Sequence, residues 1–421
     1  MLILAFVLAA TQTDTSALGP RLSLQTVVAR TLAYSPAIAS AHGAVRDASA
    51  ARRVALGAYL PSLSLSSSAG WTDPSSSLSP TSTNPTNTYG ASVAASLEVF
   101  TGGRRAAQRS VADAETRAAD AGWVFERYAT ILVAKHGYFG VLRARELVRV
   151  AQEFVAETEL GLTYATDRAA TGTATRSDVL RARLALAAAR RQWLAAEDTL
   201  AMSGAVLGRL VGADGPVDAE PPASLDPTTL ALSDSALYAL APAVAPVVVV
   251  ADAQAAAGVA VVRVYKSQYI PTISAGAGYN WANASNAPSA TRTGWVFAIT
   301  TSFPLFNGFA REGAVTQAEA AADVARVTSA DTRRFIRAEA QRLLGSLHVA
   351  EQDIGLTRES VQLAREDLRV IQTRYRAGIA TILDVLASQT ALVQSELNLV
   401  SAQFTYQIAR ASLEALLGRD L

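Results

Sequence analysis

The sequence predicts a mixed α/β membrane barrel. Four transmembrane β-strands per chain would contribute to a 12-stranded trimeric barrel, continued by long coiled-coil α-helices as an α-barrel. Three observations predict it. Four short segments alternate apolar with small polar residues at period two. They sit in pairs ahead of two long proline-free stretches. The chain also repeats itself at nearly constant register.

Met1 to Ala10 reads MLILAFVLAA and gives way to a polar stretch at Thr11. An apolar run ending in Val7-Leu8-Ala9-Ala10 has the form of a secretory signal and its small-residue cleavage site. Residues 1–10 are therefore expected to be a signal peptide, the alternative being a buried apolar terminus. The basic segment that opens such signals is missing, which points to a start upstream of Met1. A short helix is expected over 37–58, with a copy over 247–268.

The first strand segment sets Pro61, Leu63, Leu65, Ala69 and Trp71 on one parity against Ser62, Ser64, Ser66, Ser68 and Gly70 on the other. Period two with unlike faces is strand geometry, and a greasy face opposite Ser and Gly suits a wall between lipid and a wet lumen. In the second segment Tyr89, Val93 and Leu97 oppose Gly90, Ser92 and Glu98. In the third, Ile273, Tyr279 and Trp281 oppose Ser274, Gly276 and Asn280. In the fourth, Trp295, Phe297 and Ile299 oppose Gly294, Ala298 and Thr300. Leu63, Leu65, Val93, Leu97, Ile273, Phe297 and Ile299 are the expected lipid-facing residues. Each segment is close to the 9–11 residues a tilted membrane strand needs. Trp71, Tyr89, Trp281 and Trp295 gather at the loop ends, where an aromatic girdle belongs. The loops, 72–88 and 282–292, are polar. A soluble sandwich would alternate too, but its solvated face normally carries charge, and Glu98 is the only charged residue within these segments.

No proline occurs from 86 to 215 or from 305 to 421, and these stretches are rich in Ala, Leu, Arg, Glu and Gln, strong helix formers. The first long helix is expected from about Gly103 to Tyr164, roughly 90 Å at 1.5 Å per residue. A helix of that length must lie against others. Gly172 then suits the left-handed residue that ends a helix, and Thr175-x-x-Asp178 is a capping box for the returning one. Pro216, Pro221, Pro222 and Pro227 mark a linker over 213–231.

The second half, 232–421, copies the first, 11–212. Leu60-Pro61 matches Ile270-Pro271 and Pro36 matches Pro246 at an offset of 210. Phe100-Thr101-Gly102 matches Phe306-Asn307-Gly308, and Leu210-Val211-Gly212 matches Leu416-Leu417-Gly418, at 206. Gly172, Thr175 and Asp178 recur at the same offset as Gly378, Thr381 and Asp384, with Tyr375 one turn before the glycine. In the last helix Leu386, Thr390, Val393, Leu397, Val400, Phe404 and Ala411 keep the three–four spacing of a coiled-coil seam. The equivalent stretch after Leu180 is poorer, with Arg191 and Asp198 at seam positions, as if that helix faced a different neighbour.

Four strands do not close a barrel, and an open edge in lipid leaves backbone groups unpaired at several kcal/mol each. Copies must therefore share one. Two would give eight strands around an interior filled by side chains; three give twelve, with room for a lumen.

Together these marks, with Tyr375-Arg376-Ala377-Gly378-x-x-Thr381-x-x-Asp384-Val385-Leu386 the most specific, resemble the TolC-like outer-membrane efflux proteins over residues 20 to 421. The resemblance implies a homotrimer with strands in the outer-membrane lipid bilayer and a helical tunnel through the periplasm. Its partners would be a periplasmic adaptor (membrane fusion) protein and an inner-membrane pump, in efflux or type I secretion. Gly172, Thr175, Asp178, Tyr375, Gly378, Thr381 and Asp384 would form the periplasmic tip and gate. The family pattern departs at Ala380 and Ala387, where the prototype carries an arginine and an aspartate.

Composition narrows the alternatives. A net charge of +1 over 421 residues gives no field for nucleic acid, and the absence of cysteine removes disulfides and thiolate chemistry. His42, His136 and His348 have no ligand spacing, and no phosphate loop or nucleophile elbow is present. No cofactor, metal or catalytic residue is expected, so the chain is not read as an enzyme. Arg104-Arg105, Arg190-Arg191 and Arg333-Arg334 are expected on solvated helix faces. A soluble or periplasmic helical scaffold is the rival to the channel.

Overall fold

The computed structural model describes residues 19–72, 86–228, 230, 233–284 and 287–421. The expected signal peptide and most of the first inter-strand loop lie outside the described residues. Each half of the chain runs through two helices, two strands, a very long helix and a shorter one. In the first half these are α1 (Leu24–Tyr34), α2 (Pro36–Gly57), β2 (Ser62–Thr72), β3 (Thr86–Phe100), α3 (Arg104–Ala170) and α4 (Arg176–Leu210). In the second they are α5 (Asp234–Val244), α6 (Pro246–Lys266), β5 (Thr272–Ala284), β6 (Ala287–Ser302), α7 (Ala310–Arg376) and α8 (Ile382–Leu417). Two-residue strands β1 (Arg21–Leu22) and β4 (Asp218–Ala219) pair in parallel.

Two helices precede each strand pair where one was expected. Proline bars the residue before it from helical backbone. Ser35 (ψ 122°) and Ala245 (ψ 126°) are accordingly extended, and Pro36 and Pro246 open α2 and α6 at the position that suits them. The long helix also runs past Tyr164 to Ala170. Helices α3 and α7 are 67 residues each, about 100 Å at 1.5 Å per residue.

The chain forms two compact units. One comprises Ser40–Trp123 and Pro246–Phe335 and contains the four-stranded sheet. Strand order is β2-β3-β5-β6, every pair antiparallel. Register carries each parity across the sheet up to an irregularity in β3 after Glu98, beyond which Phe100 pairs Ile273. Leu63 pairs Ala95, Ala95 pairs Ala277 and Ala277 pairs Phe297; one step along, Leu65, Val93, Tyr279 and Trp295 form a second row. The other face is small and polar, with the row Ser66, Ser92, Asn280 and Gly294 beside the row Ser62, Ser96, Gly276 and Ala298. Serine pairs bond across it, Ser62 to Ser96 at 2.8 Å and Ser66 to Ser92 at 2.7 Å. The expected loop over 282–292 is shorter than predicted. Ala282 pairs Arg292 and Asn283 pairs Thr291, because Asn283 is anchored to β3 through Tyr89 N–H (2.6 Å) and the Asn87 carbonyl (2.7 Å). The longer β6 brings Arg292 into the sheet on the small-residue parity, so Glu98 is not its only charge.

Where strands meet helices, the expectation of a solvated face holds for Arg104, in a partly exposed ion pair, but not for Arg105. Arg105 donates to the carbonyls of Ala58 and Val99, both at 3.1 Å, and stacks on Tyr59 at 4.7 Å. Arg104 donates to both oxygens of Glu98, at 2.7 and 2.6 Å. Arg311 repeats the device on Tyr269 (4.3 Å) and the Pro304 carbonyl (3.3 Å). Carbonyls at helix and strand ends fall outside the regular ladders, and a guanidinium satisfies two at once. Arg190 and Arg333 do lie in half-exposed ion pairs, with Glu159 and Asp252.

The other unit comprises the N-terminal segment to Ala39, Val124–Ala245 and Ile336–Leu421. Its core joins Val27, Tyr138, Val141, Leu142, Leu207, Val400 and Phe404. The segment after α4 is gripped from α3 and α8. Tyr138 donates to the Glu220 carbonyl, Arg145 to the Ala219 carbonyl at 3.0 Å, and Tyr406 to the Thr228 carbonyl at 3.0 Å. Asp218, 1 % exposed, takes bonds from both Arg145 and Arg21, which compensates its burial. On α8 the seam holds at Val393, Val400, Phe404 and Ala411 but not at Thr390, which is exposed. Gln389 is buried in its stead, donating to the Glu157 carbonyl at 2.7 Å. The buried row includes Glu396, paired with Arg365, and Glu414, paired with Lys135. Polar residues that reach a partner tolerate a seam position as well as apolar ones do.

Candidate functional site

Two helical turns, Ala170–Arg176 and Arg376–Ile382, carry the site residues predicted at the tips. Gly172 (φ +74°) and Gly378 (φ +82°) are left-handed, where a side chain would strain the backbone. Each closes its helix by a six-to-one bond: Thr173 N–H to the Arg168 carbonyl at 2.8 Å, and Ile379 N–H to the Arg374 carbonyl at 2.9 Å. Three residues on, each threonine caps the returning helix. Thr175 Oγ1 accepts from Asp178 N–H at 3.2 Å, while the Asp178 carboxylate accepts from Thr175 N–H and Oγ1–H, both at 2.9 Å. Thr381 and Asp384 repeat the box at 3.3, 2.8 and 2.8 Å. The threonine backbone N–H is the main reason both carboxyls sit below the usual aspartate range, so both are charged at neutral pH.

The fold brings the two turns together in one cluster of Ala165, Ala182, Tyr375, Ile382 and Val385, with Val179, Leu386 and Ala380 against it. Tyr375 is 2 % exposed, and burial raises its hydroxyl pKa. Its ring is a packing element of the joined turns within one protomer. Ala380, where the family pattern departs, fills the same cluster and brings no charge to it.

Sequence reasoning missed the residues that clamp the turns. Arg168 donates to the Tyr375 carbonyl at 2.8 Å and the Thr173 carbonyl at 2.9 Å, and lies over the Tyr375 ring at 4.5 Å. Arg376 lies over the Tyr164 ring at 4.2 Å and donates to its hydroxyl. The clue was an arginine four residues before Gly172 and a Tyr-Arg pair before Gly378, but the pairing joins different halves of the chain.

In the sheet, the residues predicted to face lipid share one face: Leu63 and Phe297 are each 76 % exposed, with Leu65 and Ile299 similar. Ile273, Val93 and Leu97 lie on the same parity. Of the aromatic residues, Trp295 pairs with Tyr279 at 5.0 Å and stacks on Phe297 at 6.0 Å, and Trp71, Tyr89 and Trp281 share that face. Among the described residues no group of three or more His, Asp or Glu could hold a metal ion. His348 instead meets Asp234 at 2.6 Å, and His42 accepts from Trp123 Nε1 at 3.2 Å.

A sequence model of the outer membrane efflux protein family matches residues 27–213 and 237–419. No curated protein sequence matches the chain. Among solved structures the chain resembles the transmembrane channel protein CusC, with a TM-score of 0.83 at 19 % identity over 94 % of this chain and 92 % of that one. It resembles the outer membrane protein VceC of Vibrio cholerae, with a TM-score of 0.81 at 21 % identity over 94 % and 96 %. A membrane protein from Pseudomonas aeruginosa gives 0.81 at 19 % identity over 94 % and 93 %. At these identities the likeness is one of fold.

Proposed function

Because the chain belongs to the outer membrane efflux protein family, we propose that it works as a passive duct of a tripartite efflux or type I secretion system. In this reading three copies pool their strands into a 12-stranded barrel in the outer membrane, and their long helices line a tunnel in the periplasm. An inner-membrane pump supplies energy and a periplasmic adaptor joins it to the helical tips; the chain itself does no chemistry. One observation carries the reading. Over the central rows all four strands present one mainly apolar face and one face of mainly small and polar residues, with register shifts only near the strand ends, after Glu98 and after Asn283, while β2 and β6 each have one edge unpaired within the chain. Only neighbours in a closed ring satisfy both edges in lipid.

Helix faces support a ring of copies as well. On α7, Val349, Leu356, Leu363 and Val370 recur every seventh residue and are exposed, as are Leu180, Leu184 and Leu194 on α4. Unlike faces that mate head to tail close into a cyclic assembly. The spacing of seven is that of a left-handed coiled coil.

At the tips, threefold symmetry sets the Asp178 and Asp384 carboxylates in rings around the periplasmic mouth, where fixed negative charge favours cations. Gly172, Gly378, Thr175 and Thr381 shape the turns, and Tyr375 holds them shut from within. Opening is then a parting of the tip helices that breaks the Arg168–Tyr375 and Arg376–Tyr164 contacts.

The test is planar-bilayer recording with the purified protein, beside a gel of heated and unheated samples. Stepwise conductance and a heat-sensitive oligomer are expected. A stable, water-soluble single chain without detergent overturns the duct in favour of a helical scaffold. Asp384→Ala should lower cation preference; unchanged selectivity leaves that carboxylate a helix cap alone.

A further inference from the structure

The helical unit has two opposed faces. The segment after α4 binds one of them, through Tyr138 and Arg145 on α3 and Tyr406 and Arg410 on α8. On α3 and α8 the opposite face opens as a cavity of about 390 Å3, walled also by α7. Helical spacing fixes the opposition: Arg143 lies two residues before Arg145, about 200° around α3, and Phe404 and Ile408 flank Tyr406 by two residues on α8. If the helices close into the duct proposed above, with the gripped segment outside, this groove faces the lumen.

Its chemistry is specific. Phe139 and Phe404, both buried and 6.3 Å apart, make an apolar floor. Ser401 and Thr405 offer hydroxyls along one wall, and His136 stands two turns before Arg143 on the other. A second arginine of the rim, Arg342, is committed to Glu339 at 2.9 and 2.5 Å. Arg143 is exposed and has no ion-pair or hydrogen-bond partner among the described residues, so its guanidinium is the one uncompensated charge of the groove. A volume of this size, mostly apolar with a few convergent polar groups, is that of a small-molecule site.

We propose that this groove is a transit subsite for anionic amphiphiles, small molecules with an aromatic body and a carboxylate or sulfonate head. The body lies against Phe139 and Phe404, and the head takes charge-assisted bonds from Arg143 and hydroxyl bonds from Ser401 or Thr405. The luminal placement rests on the duct reading; binding in the groove does not.

The experiment titrates the full chain in nanodiscs with naphthalene-1-sulfonate by calorimetry, with 1-naphthylmethylammonium as the cationic counterpart. The sulfonate should bind more tightly than the ammonium, and Arg143→Gln should weaken it by about tenfold. Thr405→Glu should abolish it, since it sets a like charge beside the head. Equal affinity for wild type and Arg143→Gln, or for the two probes, overturns the proposal. In planar bilayers the sulfonate should reduce the wild-type current and spare that of Arg143→Gln. A conducting pore without Arg143-dependent binding overturns the subsite alone. Arg143-dependent binding without conductance upholds the groove and overturns the duct.

Discussion

Arg168 is the residue on which the paired turns converge, because one guanidinium serves two carbonyls and an aromatic face. Arg168→Ala should cost about 1–3 kcal/mol, since bonds from a charged donor exceed neutral ones. Faster amide exchange at Thr173 and Ala174 and a lower melting temperature would register it. The capping boxes were legible in sequence because Gly-x-x-Thr-x-x-Asp completes itself within seven residues. The Arg168–Tyr375 contact was not, because its partners are 207 residues apart and the local clue at each does not name the other. Both caps have a pH sign. Asp178 and Asp384 are held below their ordinary pKa, so their contribution is complete above about pH 4 and is lost as pH falls through the lowered values. His348 has the opposite sign. Its bond to Asp234 on α5, with Glu351 nearby, raises its pKa. Its contribution is therefore complete below about pH 6.5 and fades as pH rises through the raised value. Amide protection in α5 should fall over that window in the wild type and stay flat in His348→Gln.

Strands are the elements that sequence described best. Period-two alternation sets the face of every residue once the register is known, and one face of small polar side chains against one of large apolar ones leaves a single consistent register. That is why Leu63, Leu65, Phe297 and Ile299 emerge together on one exposed face. Leu63→Arg or Phe297→Arg should block membrane assembly, since charge on a lipid face costs roughly 2–4 kcal/mol at the midplane. Charge at Ser64 should be tolerated and change conductance. Normal assembly of the first pair, or failure of the second, would mean that the faces are exchanged or that the sheet packs against protein. The long helices were legible in outline, but not the short α1 and α5 or every seam position. Thr390 fits the heptad by number, yet Gln389 takes the buried place because its amide reaches the Glu157 carbonyl. Spacing alone does not report such long-range bonds. The same holds for Arg105, whose neighbours on the sequence suggest solvent and whose partners are the ends of α2 and β3.

At the scale of the whole molecule, β2 and β6 each leave one edge of the sheet unpaired within the chain. The proposed ring of three seals β2 and β6 and covers the α7 stripe of Val349, Leu356, Leu363 and Val370. Leu356→Glu with Leu363→Glu should leave the fold of each copy intact, because both side chains are exposed in the protomer. It should abolish the heat-sensitive oligomer; persistence of that oligomer would place the contact elsewhere. The sequence pointed to shared closure by arithmetic, since four strands fall short of a closed barrel. It did not announce the split into two compact units, each assembled from segments of both halves, because that depends on which distant stretches pack. The unpaired edges carry a genetic consequence. In the proposed ring, a copy able to join its neighbours along β2 but crippled along β6 would enter the assembly and spoil it. Expressed beside the intact gene, such an allele should be dominant if the duct reading holds, silencing conductance even while sound protein is still being made.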